Sequence, residues 1–299
     1  MGDPKDDLER LLAEMRPRLH RYCARMTGSV IDGEDVLQET LIKALEAFPQ
    51  SGPLANAEGW LFRIAHNASL DFLRRRARRQ GMQTTDQDLE SIADPDSEID
   101  RRQVAAASLR TLMRLPVAQR SSVILMDVLG HSLEEISSVL DSTVPAVKAS
   151  LHRGRQRLLA LAGEPDDRPS PSLTAADRGR LAAYVERFNA RDFDALREQL
   201  ADEVKVELVG RTRLKGRGEV GHYFGNYEQT RDWHLAPGLV EGRPAIVVRA
   251  AAAPDGPPLY FILVEWASDR LIALRDFRYA RYVVESAELT DLRPALNDL

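Results

Sequence analysis

The stretch that decides the fold of the middle of the chain is Ser132-Leu-Glu-Glu-Ile-Ser-Ser-Val-Leu-Asp-Ser-Thr-Val-Pro-Ala-Val-Lys-Ala-Ser-Leu151. Ser132 and Glu135 have the spacing of a capping box, which predicts that a helix begins there. Pro145 falls in the first turn of a second helix, where its missing N–H costs nothing. The turn between the helices is Asp141-Ser-Thr143. The sequence therefore predicts two helices joined by a tight turn.

The second of these helices has the composition of a DNA-reading helix. Val147, Leu151 and Leu158 form its inward side, and small residues precede arginines on its outward side, as in helices that enter a major groove. The residues predicted on or near the outward side are Lys148, Ala149, Ser150, His152, Arg153, Arg155 and Gln156. From spacing alone, an ordinary helical hairpin with a solvated basic face fits equally well.

Charge is distributed unevenly along the 299 residues. The net charge of −5 argues against nucleic acid as a partner. However, residues 81–100 carry seven acids and no base, whereas residues 101–161 carry nine bases and four acids. The basic segment contains the helix-turn-helix, so its local charge favours DNA binding.

Composition shifts also divide the chain into modules, and the Gly and Pro residues of 163–172 mark one of the breaks. The predicted organisation is a helical module 1–80, an acidic linker 81–100, a helix-turn-helix module 101–161, a linker 162–172 and a C-terminal module 173–299.

Composition excludes several classes of protein. The hydrophobic content of 43% rules out a disordered chain, and no apolar run approaches the roughly 20 residues that a membrane span requires. The acidic N-terminal residues lack the apolar core of a secretory signal, so a cytoplasmic location is expected. The single Cys23 predicts neither a disulfide nor a metal site. No cofactor is expected.

The first module is predicted to be helical, with apolar residues repeating at helical spacing over 36–48 and 60–72. A dense cluster follows: Arg74, Arg75, Arg76, Arg78 and Arg79. Five guanidinium groups in six positions repel one another unless a polyanion neutralises them, which favours phosphate as the partner. A solvated helix end is the alternative. Trp60 keeps helical register with Ile64, which favours core packing over base stacking.

Three motifs resemble segments of the extracytoplasmic-function group of bacterial sigma factors, in the same order. The motifs are Asp32-Gly-Glu-Asp-Val-Leu-Gln-Glu-Thr-Leu-Ile-Lys-Ala-Leu45, Gly59-Trp-Leu-Phe-Arg-Ile-Ala-His-Asn-Ala-Ser-Leu-Asp-Phe-Leu-Arg-Arg-Arg76, and Leu115-Pro-Val-Ala-Gln-Arg120 followed by Asp127–Ile136 and Val147–Arg155. The resemblance covers about the first 160 residues. It implies a protein that binds core RNA polymerase and promoter DNA, through the clamp helices of the large subunit and the flap of its partner subunit.

The resemblance also assigns roles to individual residues. Polymerase docking falls on Asp35, Gln38 and Glu39; contact with the minus-10 strand on Arg63, Asn67, Asp71, Arg74 and Arg75; and contact with the minus-35 groove on Lys148, Ala149, Ser150, His152 and Arg153. Such a protein extracts bases from the duplex and holds them, at a cost of a few kcal/mol, without bond chemistry. The acidic linker either repels DNA from a path along the polymerase or is merely a solvated tether.

The C-terminal module begins with two predicted helices, the first capped by Thr174, and continues with β-branched and aromatic runs. This order predicts an α+β domain. Residues 181–204 resemble the opening of the SnoaL-like group within the NTF2-like cone fold, whose members use an internal pocket for cyclisation or isomerisation. The fold class is therefore multidomain, with two all-α sigma domains and an α+β cone.

The candidate pocket residues of the cone are Tyr184, His222, Trp233 and Asp276. Spacing identifies no acid–base pair among them, so the interpretation is a regulatory domain that contacts the sigma domains, not an enzyme. Whether the cone binds a small molecule stays open. Two alternatives remain: a ligand-responsive helix-turn-helix regulator that acts without polymerase, and an NTF2-like enzyme with helical appendages.

Overall fold

The computed structural model describes residues 4–51, 54–80, 107–162 and 172–292. The chain divides into two compact units, residues 1–166 and 167–299. Both helical modules expected from the sequence lie in the first unit, and the α+β module forms the second. The acidic linker 81–100 lies outside the described residues.

Three long helices form the first part of the first unit: α1 (Pro4–Thr27), α2 (Val30–Ala47) and α3 (Ala57–Arg79). Ser29 caps α2 by accepting a hydrogen bond from the backbone N–H of Asp32. Gly33 lets α1 and α2 approach closely, because a Cβ there would lie 2.5 Å from the Cα of Ala24. The faces that meet are apolar and bury Tyr22 and Phe62 completely.

Among the described residues of the first unit, four further helices follow: α4 (Leu109–Leu112), α5 (Val117–Val123), α6 (Leu133–Leu140) and α7 (Val144–Leu161). A π-helical turn, Ile124–Val128, extends α5. The capping box predicted at Ser132 and Glu135 is present, and Asp141 ends α6 in the left-handed conformation at φ 50°. The helix-turn-helix prediction for this stretch is confirmed.

The second unit contains α8 (Ala175–Asn189), α9 (Phe193–Glu198), α10 (Gly216–Glu228) and a seven-stranded sheet. The strands are β1 (Leu200–Leu208), β2 (Thr212–Lys215), β3 (Trp233–Val240), β4 (Arg243–Ala250), β5 (Tyr260–Ala267), β6 (Arg270–Asp276) and β7 (Leu289–Asp291). Their order in the sheet is β2-β1-β6-β5-β4-β3-β7; β1 and β6 are parallel, and all other neighbours are antiparallel.

One face of the sheet packs against the three helices through a continuous apolar core. Phe188 of α8 is its centre, in ring contact with Phe193, Phe224, Tyr227 and Trp233. The helices and sheet enclose this core in the arrangement expected for an NTF2-like cone, which confirms the predicted fold class.

Candidate nucleic-acid interface

The five residues predicted to read the minus-10 strand lie along one face of α3, because their spacings follow the helical repeat. Arg63, Asn67, Arg74 and Arg75 are exposed, and Asp71 is half-buried. At the start of this face, the Arg63 guanidinium donates to the backbone carbonyl of Ser138 in α6 over 2.6 Å. The helical spacing of the five residues is visible in the sequence, but the contact of Arg63 with Ser138 is not.

The arginine cluster at the end of α3 contains two kinds of side chain. Arg74 pairs with Asp71 at 3.6 Å, Arg75 with Glu39 at 2.7 Å and Arg76 with Asp32 at 3.5 Å. By contrast, Arg78 and Arg79 donate to carbonyls of their own helix, those of Arg74 and Arg75. The pair of Arg74 lies within α3, and the pairs of Arg75 and Arg76 link α3 to α2. Arg78 and Arg79 keep their charges at the exposed end of α3.

Glu39, predicted to dock on polymerase, bridges two cations in the structure. It accepts from Arg75 at 2.7 Å and from Lys43 at 2.8 Å. Partial burial raises the pKa of Glu39, but the hydrogen bonds and charges of the two cations outweigh burial, so its pKa is lowered. In this structure, Glu39 therefore joins α2 to α3.

The exposed side of α2 carries aliphatic residues that the sequence prediction overlooked. Ile42 is 56% exposed and Leu45 is 42% exposed, on the same side as Asp35 and Gln38 at helical spacings of three and four. Leu45 belongs to the apolar repeat over 36–48 but is exposed. A clue exists in the sequence, because α2 has more apolar residues than one buried face needs.

The recognition helix α7 presents most of its predicted groove-contacting residues. Lys148 is exposed, and Ala149, His152 and Arg153 are half-buried. Ser150 is the exception: it is buried, with 8% exposure, which does not fit its predicted contact with the minus-35 groove.

Arg155 is also buried, which corrects its predicted position near the outward face. Its guanidinium makes two hydrogen bonds to the carboxylate of Asp127 in the π-helical turn, at 2.9 and 2.5 Å. Gly154 allows this approach, because a Cβ there would lie 2.8 Å from Val123. The buried pair fixes α7 against α5 and so orients the outward face.

Of the four candidate pocket residues of the cone, His222 is exposed and hydrogen-bonds the carbonyl of Gly218. Tyr184, Trp233 and Asp276 are buried in the core. The ring of Tyr227 contacts Trp233, and the Tyr227 hydroxyl donates to Asp276. The pocket role of the four residues stays a prediction.

Asp276 belongs to a tyrosine network. It accepts hydrogen bonds from Tyr223 at 2.8 Å and Tyr227 at 3.0 Å, and Tyr227 contacts the hydroxyl of Tyr260 at 3.2 Å. Burial raises the pKa of Asp276 despite these donors and the Arg278 backbone N–H, and burial raises the pKa of Tyr260 to about 12. Tyr223 and Tyr227 sit four residues apart on α10, a helical spacing that was available in the sequence.

A shallow surface depression of about 530 Å³ lies near α9 and has charged residues in its walls. Its wall residue Arg197 pairs with Asp194 at 2.9 Å and also with Glu228. Within residues 4–292 as described, no three His, Cys, Asp or Glu side chains gather into a metal site. Over the same residues, no helix combines the length and apolarity needed to cross a membrane.

Comparison with known proteins agrees with this geometry. Residues 11–79 match the Sigma-70 region 2 family and residues 107–158 match the Sigma-70 region 4 family. The first match covers α2 and α3 and the second covers the helix-turn-helix. These two regions define a sigma-70-type factor.

Several characterised relatives refine the class. The ECF RNA polymerase sigma factor SigM of Mycobacterium tuberculosis is 31% identical over 52% of this chain and 76% of its own length. SigG of the same organism, also an ECF sigma factor, is 28% identical over 86% of this chain and 77% of its own length. The chain belongs to the ECF RNA polymerase sigma factors.

Solved structures with similar folds include the Mycobacterium tuberculosis sigma factor SigJ, with a TM-score of 0.34 and 19% identity over 88% of this chain and 94% of that chain. The sigma factor RpoE of Bartonella quintana, solved with the anti-sigma factor NepR, has a TM-score of 0.41 and 23% identity over 54% of this chain and 99% of its own.

Membership in this family establishes the general function of the protein. The protein is a sigma factor, and its partners are core RNA polymerase and promoter DNA. The two alternatives, a helix-turn-helix regulator that acts without polymerase and an NTF2-like enzyme, are not favoured. The family is not one of enzymes.

Proposed function

We propose that three exposed helix faces of the first unit each make a different contact during transcription initiation. The outward side of α2 docks on the clamp helices of the large polymerase subunit, and α3 holds the minus-10 strand. The outward side of α7 enters the minus-35 groove, and the helix-turn-helix module contacts the flap of the partner subunit. The proposed site of action is the cytoplasm, where transcription takes place.

The observation that carries the docking proposal is the pair of exposed aliphatic residues, Ile42 and Leu45, beside the acidic Asp35. Interface centres combine exposed apolar side chains with a polar rim. Asp35 and Gln38 keep their predicted docking role here. Glu39 is reassigned, because its contacts with Arg75 and Lys43 make it a residue that positions α3.

The double variant Ile42→Asp, Leu45→Asp tests docking. We expect at least a tenfold loss of affinity for core polymerase in a pulldown titration, and a matching loss of run-off transcript, because carboxylates replace the buried centre of the contact. Ile272→Asp is the matched control, since Ile272 is similarly exposed but lies on β6. Full core affinity in the double variant contradicts the docking proposal.

For DNA, the proposal keeps Arg63, Asn67, Asp71 and Arg74 on the minus-10 strand, as the sequence predicts. Arg75, also predicted there, is assigned to holding α3 against α2 through Glu39, and phosphate contacts are assigned to Arg78 and Arg79. Of the minus-35 residues, Lys148, Ala149, His152 and Arg153 keep their roles, whereas Ser150 does not. Melting proceeds by unstacking bases, with binding energy offsetting a cost of a few kcal/mol. No bond chemistry is assigned to either unit.

We further propose that the second unit is regulatory and acts through contact with the sigma domains. Support comes from its interior, where the buried Asp276 is already engaged by Tyr223 and Tyr227 and no acid–base pair assembles among the four candidates. Deleting residues 170–299 and measuring transcription with core polymerase tests the proposal. Unchanged transcription together with unchanged spacing of the sigma domains in solution contradicts it.

A further inference from the structure

Several turns of the second unit meet at the end of the sheet where β6 finishes. β1 runs parallel to β6 and pairs Leu208 with Asp276, so both strands end there. β5 runs antiparallel to β6, so it begins at the same end, with Tyr260. The β1–β2 turn, the start of β5 and the turn after β6 therefore contribute side chains to one end of the sheet.

Three arginines lie at this end, and each holds its guanidinium over a tyrosine ring. The pairs, measured from Cζ to the ring centre, are Arg211 with Tyr279 at 4.4 Å, Arg278 with Tyr227 at 5.5 Å and Arg281 with Tyr260 at 5.7 Å. The Nε of Arg281 also donates to the Arg278 carbonyl over 3.3 Å, which holds these two residues together. A cation over a ring face is fixed in place, but that contact uses none of its hydrogen-bond donors.

The carboxylate of Asp276 lies close to these arginines but is engaged by other donors. One of its oxygens accepts from Tyr223 at 2.8 Å and Tyr227 at 3.0 Å, and the other accepts from the backbone N–H of Arg278 at 2.8 Å. Across the part of the chain that the structure describes, none of the three guanidinium groups has a carboxylate partner within 4 Å. Their positive charge is therefore not neutralised by the described residues.

Neighbouring arginines of the same strands behave differently. Arg213 of β2 pairs with Glu207 at 3.1 Å, and Arg275 of β6 pairs with the same carboxylate at 3.0 Å. The fold thus supplies an acid to these two arginines, one and three positions from residues of the cluster. Like charges that are left without such a partner repel one another, and a bound anion would offset that repulsion.

A phosphate group fits three guanidinium groups of this kind. The planar fork of arginine binds phosphate oxygens through charge-assisted hydrogen bonds, often two at a time. A phosphate monoester carries about −1.5 to −2 charges near pH 7, which matches three cations better than a single carboxylate does. Tyr279 is exposed beside Arg211 and offers an aromatic surface to the organic part of a ligand. The cluster is confined to two turns, whereas duplex DNA needs contacts spread along its backbone.

We propose that Arg211, Arg278 and Arg281 bind the phosphate group of a small organic phosphate monoester, with Tyr279 against its organic part. The site gives the second unit a ligand class. It does not depend on the proposed contact of that unit with the sigma domains, because binding is measured on the free protein. No bond is formed or broken at the site.

Isothermal titration calorimetry of the full chain with phenyl phosphate, at constant ionic strength, tests the site. We expect saturable one-to-one binding in the wild type. Arg211→Gln and Arg281→Gln should each lose about tenfold or more in affinity, because each removes charge-assisted contacts with the phosphate. Both side chains are exposed, so neither change disturbs the core.

Arg213→Gln is the matched control for these variants. Arg213 is exposed on the same hairpin as Arg211, but it already pairs with Glu207. The control should keep the wild-type affinity within about twofold, because salt screens a charge that does not touch the ligand. Benzoate should bind more weakly than phenyl phosphate to the wild type, since its carboxylate carries a single charge.

Absence of saturable phenyl phosphate binding overturns the proposal, and so does an unchanged affinity in both folded arginine variants. An equal loss in Arg213→Gln shows a response to net charge alone and overturns the site. If benzoate binds as tightly as phenyl phosphate, the assignment to phosphate is wrong. If the wild type ignores phenyl phosphate but Arg211→Gln and Arg281→Gln weaken binding to a duplex DNA fragment, the arginines contact nucleic acid and the proposal fails.

Discussion

The two units each bury a titratable group, and burial makes them respond to pH in opposite directions. In the helical unit, burial lowers the pKa of His66 to about 4, with a smaller contribution from the Arg74 charge. In the cone, burial raises the pKa of Asp276. Burial penalises the charged form in both cases, but the charged form is protonated in histidine and deprotonated in aspartate.

The consequence for stability follows from linkage. The folded pKa of His66 lies below its unfolded value near 6.5, so its contribution is complete above that value and is lost as the pH falls toward 4. The folded pKa of Asp276 lies above its unfolded value near 3.9, so its contribution is complete below that value and is lost as the pH rises through the folded pKa. Through these two groups, acid therefore lowers the stability of the helical unit and raises the stability of the cone.

The largest effect is expected where a buried charge has a partner and loses it. Arg155→Ala leaves the carboxylate of Asp127 buried without its guanidinium, at a cost of about 3–5 kcal/mol in the free energy of unfolding. Thermal and denaturant unfolding followed by circular dichroism measure it. Arg157→Ala, two residues away and exposed, should stay within about 0.5 kcal/mol of the wild type. Equal stability of the two variants would show that the pair does not hold α7.

The next effect tests the acid response of the helical unit. Between pH 7 and pH 4 the wild type should lose about 3 kcal/mol of stability through His66, because only the unfolded state takes up that proton. His66→Gln keeps a polar partner for the Tyr22 hydroxyl, 2.8 Å away, and removes this pH dependence. His222→Gln, on the surface of the cone, should leave it intact. If His66→Gln is as sensitive to acid as the wild type, His66 is not the source of the acid response of the helical unit.

A smaller effect tests the cone. Tyr227→Phe removes one donor to the Asp276 carboxylate and should cost about 1–3 kcal/mol. The cost should rise as the pH increases from 4 through the folded pKa of Asp276, because the charged carboxylate needs the donor more than the neutral acid does. Tyr184→Phe is the matched control, since the described residues offer its buried hydroxyl no hydrogen-bond partner. A greater cost at pH 4 would contradict the assigned network.

Sequence reasoning succeeded where structure is set locally. The helix starts at Ser132 and Thr174 follow from side chains that accept backbone hydrogen bonds within three residues, and both are confirmed. The strand β3 is not predicted, because Pro237 and Gly238 interrupt it and only its pairing with β4 and β7 makes it a strand.

The site residues show the same limit. The faces of α3 and α7 are predictable because they follow from the helical repeat. The contact between Glu39 and Arg75 is not, because it depends on how α2 packs on α3. Arg155 and Ser150 differ from expectation for the same reason. The rotation of α7 depends on its contacts with Val123, at Gly154, and with Asp127, at Arg155, and these contacts form only in the folded unit.

The smallest expected effect separates the two kinds of arginine at the end of α3. Each phosphate contact that is lost reduces the slope of log affinity against log salt by about 0.7 to 0.9. Arg78→Ala with Arg79→Ala should therefore lower the slope for holoenzyme binding to promoter DNA by about 1.5, with little change in thermal stability, because both guanidinium groups donate to carbonyls of their own exposed helix end.

Arg75→Ala serves as the matched variant: it breaks the pair with Glu39, and it should change the slope by less than one contact while lowering the melting temperature slightly. Titrations at several salt concentrations measure the slopes. If Arg75→Ala alone lowers the slope as much as the double variant does, the ion pair opens on DNA, and the division between linking and phosphate-binding arginines is wrong.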